Sequence, residues 1–310
     1  MQFLAGVGAA ALAKAGYFGG GDDGSVNLSG IDKIAFPADT KTTLSATLSS
    51  ARQASAGMAD SGVAGYFGGG LDAARISGID KIAFPADTKT TLSATLTSAR
   101  RQLAGMANSG VAGYFGGGQE GIAPFNLSGI DKIAFPADTK TTLSATLSSA
   151  RRNLAGMANS GVAGYFGGGD DSGGYVSGID KIAFPADTKT TLSATLSSAR
   201  GDLASMADSG VAGYFGGGYD GTNNLSGIDK ITFSADTKTT LAATLSSTRF
   251  DLTGMADSGV AGYFGGGADG SGQISGIDKI AFPADTKTTL SATLSTARNS
   301  TGAFADCGVF

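Results

Sequence analysis

The chain has 310 residues, 41% of them apolar, and carries 22 Lys and Arg against 26 Asp and Glu, a net charge of −4. That balance offers no basic footprint for a phosphate backbone, so nucleic acid is not expected as a partner. With no histidine and a single cysteine, Cys307, the composition excludes the usual nitrogen and sulfur metal cages, imidazole acid–base catalysis and an intrachain disulfide, and no cofactor is expected.

The chain opens MQFLAGVGAAALAKA. The apolar run with small residues after it fits a cleaved leader, whereas the lysine at 14 and the return of LAG in the later LAGMA segments fit a core strand of a first repeat. Both readings stay open. Nowhere does an apolar stretch reach the roughly 20 residues of a membrane span, so none is expected.

AGYFGGG follows at 15–21, and GVAGYFGGG recurs at 62–70, 110–118, 161–169, 210–218 and 259–267. Taking differences between Gly16, Gly65, Gly113, Gly164, Gly213 and Gly262 gives spacings of 49, 48, 51, 49 and 49. Such a period marks a repeat architecture sharing one continuous core. The 51 glycines are about twice the usual share of roughly 7%, which predicts frequent turns and close backbone approach.

Each repeat continues with a variable insert, then SGIDKIAFPADT, KTTLSATLSSAR and LAGMADS. In GIDKIAF the apolar groups fall on both faces, Ile31 and Ala35 on one, Ile34 and Phe36 on the other, so this strand needs cover on both sides. In LSATLSS, Leu44, Ala46 and Leu48 alternate with Ser and Thr, which predicts a half-buried strand. A helix capped by Asp39 or Thr40 is the rival, disfavoured by the Ser and β-branched Thr content. The Gly- and Ala-rich LAGMADS suits a crowded innermost strand. Four strand-length segments per repeat, repeated six times, predict an all-β fold: a six-bladed β-propeller of four-stranded antiparallel blades, one domain over 1–310 with repeats beginning near 16, 65, 113, 164, 213 and 262.

The order Arg, short strand, GYFGGG, insert, IDKIAF, LSATLSSAR resembles the kelch repeat, whose aromatic–apolar strand closes on a double glycine and whose last strand ends near an Arg. The Trp common in the fourth kelch strand is missing, with Leu44 and its equivalents in its place. The near-identity of the units also resembles kelch-like arrays encoded by bacteriophages, cyanophages especially. The resemblance implies a structural or adhesion protein, such as a virion appendage or tail-fibre subunit, or else a cytoplasmic interaction platform. Copper oxidases share the propeller fold, but without histidine that activity does not carry over.

The repeated carboxylates, one set from Asp32 to Asp278 and another from Asp39 to Asp285, raise a glycosidase reading. Sixfold repetition opposes it, because a catalytic site generally breaks symmetry; turns and solvated charge pairs such as Asp32 with Lys33 are expected instead, and the protein reads as not an enzyme. Asp-Gly pairs at 23–24, 220–221 and 269–270 read as turns rather than calcium loops, since the full loop spacing is absent. The equivalent Arg52, Arg100, Arg151, Arg200, Arg249 and Arg298 are expected to pair with carboxylates at blade junctions. Sequons stand at Asn27, Asn126, Asn224 and Asn299.

Differences between copies concentrate in the insert (22–28, 71–76, 119–127, 170–176, 219–225, 268–274) and in the residues after each repeated Arg. In an antiparallel meander both lie at one end, so both are expected on one face. Candidate ligand-binding residues there are Asp22, Asp23, Arg75, Phe125, Asp170, Asp171, Tyr175, Tyr219, Asn223, Asn224 and Phe250, suited to surface glycans or another protein. After the sixth repeat the chain runs NSTGAFADCGVF, a seventh candidate for the innermost strand. Segments 1–12 and 299–310 are therefore expected to close the ring or to contact a neighbouring subunit, by self-association or with virion proteins, in an extracellular or virion setting.

Overall fold

The structure, a computed structural model, describes residues 14–121 and 125–307. Six four-stranded antiparallel sheets stand around a common axis, and none of the described residues is helical. This is the expected six-bladed propeller. In the second blade the strands run outward as Ala56–Asp60, Ala64–Gly68, Ile79–Ala83 and Thr88–Thr91. The small AGMAD strand lies innermost and is wholly buried.

The second strand explains the invariance of GYFGGG. Its side chains alternate between faces, and both faces meet another blade. Tyr66 stacks on Phe135 of the next blade with ring centroids 5.2 Å apart, and the same contact recurs around the ring until Tyr263 stacks on Phe36 at 4.8 Å. Phe67, on the opposite face, lies over the bare backbone of Gly19 in the preceding blade. At the equivalent Gly116, an added Cβ would fall 2.6 Å from the Phe166 ring, itself fully buried and unable to withdraw. Gly116→Val is therefore expected to lower stability by about 1–3 kcal/mol through overpacking, read from the urea unfolding midpoint.

Two expectations need correction. The outermost strand is not LSATLSS but the preceding Thr40–Thr43 and its equivalents. Residues 44–52 run on without strand structure: Leu44 and Leu48 donate backbone N–H groups to Ile31 and Ser29 at 2.9 Å, and Leu48 is buried. The alternation of Leu and Ser thus reflects a segment tucked along the blade, not a ladder.

The Asp32 set is not solvated either. Asp80 and its equivalents are fully buried, each held by the Arg of the preceding junction: Arg52–Asp80 at 2.9 Å, Arg151–Asp180 at 2.8 Å and Arg298–Asp32 at 2.7 Å. Six arginines expected at junctions are found there, each in an ion pair. Lys33, pointing the other way along the same strand, pairs with Asp87 of the next blade at 2.7 Å, and Tyr17 donates its hydroxyl to the same carboxylate at 2.8 Å. One strand therefore grips both neighbours.

The first blade takes its innermost strand from the far end of the chain: Gly302–Ala305 pairs with Ala15–Gly19. The core-strand reading of the opening residues falls on 1–13, which lie outside those described. Among the described residues no helix is long and apolar enough to cross a membrane.

Candidate functional site

The two variable patches meet at one end of the propeller. Each residue after a junction Arg pairs with the first residue of the next insert, as Arg101 does with Gln119, Arg152 with Asp170, Gly201 with Tyr219 and Phe250 with Ala268. The penultimate insert residue often adds a further bridge to that first residue, as Asn126 does on Gln119 and Asn224 on Tyr219. Side chains then cross to the next blade: Asn27 Nδ2 donates to the Leu71 carbonyl at 3.2 Å and Asn126 Nδ2 to the Asp170 carbonyl at 3.1 Å. The inserts form a continuous annulus rather than separate loops.

Inside it lies a second ring. Ala54, Gln102, Asn153, Asp202, Asp251 and Ser300 all adopt φ between 52° and 57°, a left-handed conformation uncommon for residues other than glycine. Each donates its N–H to the preceding member, Gln102 to Ala54 at 2.9 Å and onward to Ala54 donating to Ser300 at 2.7 Å, so the hydrogen bonds close a circle about the axis. The ring frames an axial cavity of about 110 Å³ that continues between the innermost strands.

Chemistry breaks this symmetry. On one side stand Arg75, Arg101 and Arg152: the Gln119 Oε1 accepts from Arg75 Nη2 at 3.3 Å and from Arg101 Nε at 3.4 Å, while Arg152 Nε meets Asp170 Oδ2 at 2.9 Å. On the other side Tyr175 meets Tyr219 edge-on at 5.7 Å, and Tyr219 lies 6.4 Å from Phe250. Between these arcs, on the inner ring, the carboxyls of Asp202 and Asp251 are neighbours, their backbones joined by the Asp251 N–H donating to the Asp202 carbonyl at 2.8 Å. Burial and then the neighbouring Asp251 carboxyl push Asp202 well above the usual carboxylate range; burial raises Asp251 too, while hydrogen bonds from Asp202 and Ser300 pull it part of the way back.

The sign of the resulting pH dependence follows. An acid whose folded pKa exceeds its unfolded value binds more protons when folded, so its stabilisation is present at low pH and is lost as pH rises through the folded value. Asp202→Asn, which keeps a donor and removes the titration, is expected to flatten the decline in stability above the ordinary Asp value near 3.8, measured by chemical unfolding across a pH series.

Of the candidate residues, Arg75, Asp170, Tyr175, Tyr219, Asn224 and Phe250 belong to the annulus. Asp22 also sits in its rungs, bridged to Asn27 and Asn299, but its side chain and those of the remaining candidates serve turns or solvent. Asp22 accepts the Gly24 N–H at 2.8 Å, Asp23 those of Ser25 and Val26, and Asp171 that of Gly173, so these carboxylates hold turns. Asn223 donates its backbone N–H to Asp220 in another such turn, and Phe125 projects from its insert, 53% exposed. Arg101, Arg152, Asp202 and Asp251 were not among the candidates. Their signal was present in the columns formed by the six post-Arg triplets, where like charges occupy the same column in consecutive repeats.

No protein-family model matches the chain, and no curated protein matches it.

Proposed function

We propose that the chain is a non-enzymatic binding and assembly protein, borne on a virion or held outside the cell, whose propeller presents one variable face to glycans or to a partner protein. One observation carries the reading: nearly identical copies depart from each other mainly in residues that converge on a single annulus, where aromatic, amide and charged groups surround a small cavity. A rigid scaffold with variation confined to its loops is the usual arrangement for recognition. The resemblance to phage-encoded repeat arrays supports the virion setting and self-assembly.

The absence of an enzymatic role is part of the proposal. The two repeated carboxylate sets have structural partners in the neighbouring blades.

A glycan and protein array probed with the full chain tests the proposal. Binding is expected, and is expected to vanish when residues 119–127 and 170–176 are replaced by Gly-Ser while negative-stain images still show discs. Undiminished binding by that variant would move the recognition site elsewhere.

A further inference from the structure

The rungs that hold Arg75, Arg101 and Arg152 do not require arginine. At the place of Arg101 and Arg152 the other repeats carry Gln53, Gly201, Phe250 and Asn299, and at the place of Arg75 they carry Asn27, Asn126, Tyr175, Asn224 and Gln273, all within the same rungs or beside them. Three guanidinium groups gather on consecutive blades, and burial first, then repulsion from Arg75 and Arg152, lowers the proton affinity of Arg101, with Asp251 opposing in part. Among the described residues only Arg152 has a carboxylate in ion-pair contact; Arg75 and Arg101 share the neutral Gln119 amide oxygen. Three guanidinium groups thus share one ion-paired carboxylate, Asp170, with Asp251 acting on Arg101 from the inner ring, and all three are partly open to solvent.

Resting on the reading of this face as a recognition surface, we infer that Arg75, Arg101 and Arg152 receive an oxyanion of an acidic saccharide, a uronate carboxylate or a sulfate ester, whose sugar rings lie toward Tyr175, Tyr219 and Phe250. Guanidinium groups match such planar or multidentate oxyanions through parallel N–H donors. The two arcs adjoin, because Asp170, which holds Arg152, is paired on the ladder with Tyr175, whose ring packs over the bare Gly201 backbone. Gln102 and Asn153 line the cavity between the arcs. Aromatic surface with a few fixed polar groups and a localised positive charge suits a charged sugar better than an acidic peptide, which would call for cations along its length.

The test is calorimetric titration of the full chain with a sulfated heparin-derived oligosaccharide, an oligogalacturonate of equal length, neutral maltooligosaccharide and an oligoglutamate peptide. One or both acidic sugars are expected to bind, and which one does identifies the anion. The double variant R75N/R101Q, which installs residues already present at the same places in other blades, is expected to keep the melting temperature and lose about tenfold or more in affinity, as removal of a central Arg anchor does. Failure of both acidic sugars to bind, equal binding by R75N/R101Q, or equal binding of oligoglutamate would each overturn the inference. If the neutral sugar alone binds, and the Gly-Ser loop variant loses it, the recognition face stands and the anion receptor falls; if nothing binds in either experiment, both fall.

Discussion

Asp180→Ala is expected to lower the stability of the protein by about 3–5 kcal/mol, because it strands a buried charge. Arg151 is 1% exposed and its Nη2 meets the Asp180 carboxylate at 2.8 Å. Its remaining acceptors are the carbonyls of Phe166 and Gly178 at 3.2 and 3.3 Å, and its Nε has none. Without the carboxylate the guanidinium stays desolvated and uncompensated. The same carboxylate also receives the backbone N–H and hydroxyl of Ser148 and the Thr191 hydroxyl, so its loss loosens the segment that connects two blades. Removing both charges in Arg151→Met/Asp180→Leu is expected to restore part of the loss, since an apolar pair of similar volume replaces an ion pair whose desolvation offsets much of its attraction. Denaturant unfolding of the two variants gives the comparison directly.

Phe304→Ala is expected to be similarly damaging, by about 3–5 kcal/mol, because the strand that closes the ring is anchored by this one ring. Phe304 is fully buried, with centroids 4.6 Å from Phe67 and 5.1 Å from Tyr17, so it joins the first blade to the second as well as filling its own. The other blades place Met58, Met106, Met157, Met206 and Met255 at the equivalent position, each fully buried. Phe304→Met is accordingly expected to cost less than about 1.5 kcal/mol, a swap between apolar side chains that the site already accepts elsewhere in the ring. A large difference between the Ala and Met variants in unfolding midpoint ties the stability of the whole disc to a strand supplied by its last residues.

What the sequence made legible, and what it hid, divides by distance along the chain. The period, the two-sided apolar pattern of GIDKIAF and the small residues of LAGMADS are local signals, and they suffice for stacked four-stranded blades. The partners of the charged residues are not local. Asp80 sits beside Lys81 in the sequence, yet its ion pair is Arg52 and that of Lys81 is Asp138 in the following blade, because adjacent residues of a strand face opposite ways. The Leu44 segment misled for a related reason: its alternation of apolar and polar groups matches a ladder, but its hydrogen bonds go to Ile31 and Ser29 without one. The chemistry of the variable face depends on columns rather than on any single repeat. Asp202 and Asp251 are 49 residues apart, the difference of their numbers, and come together only because consecutive repeats are neighbours around the axis.

The variable face exists as a single annulus only if the ring is closed, and native-state hydrogen exchange at Gly302–Ala305 measures that closure most directly. Paired against Gly16–Gly19 and buried, the amides of this strand that donate to the ladder are predicted to exchange as slowly as those of Ala104–Asn108, the innermost strand of the third blade. Exchange at the rate of exposed turns such as Gly270–Ser271 would mean that the last strand is not seated and that the disc, with its gathered arginines and aromatics, does not form as described.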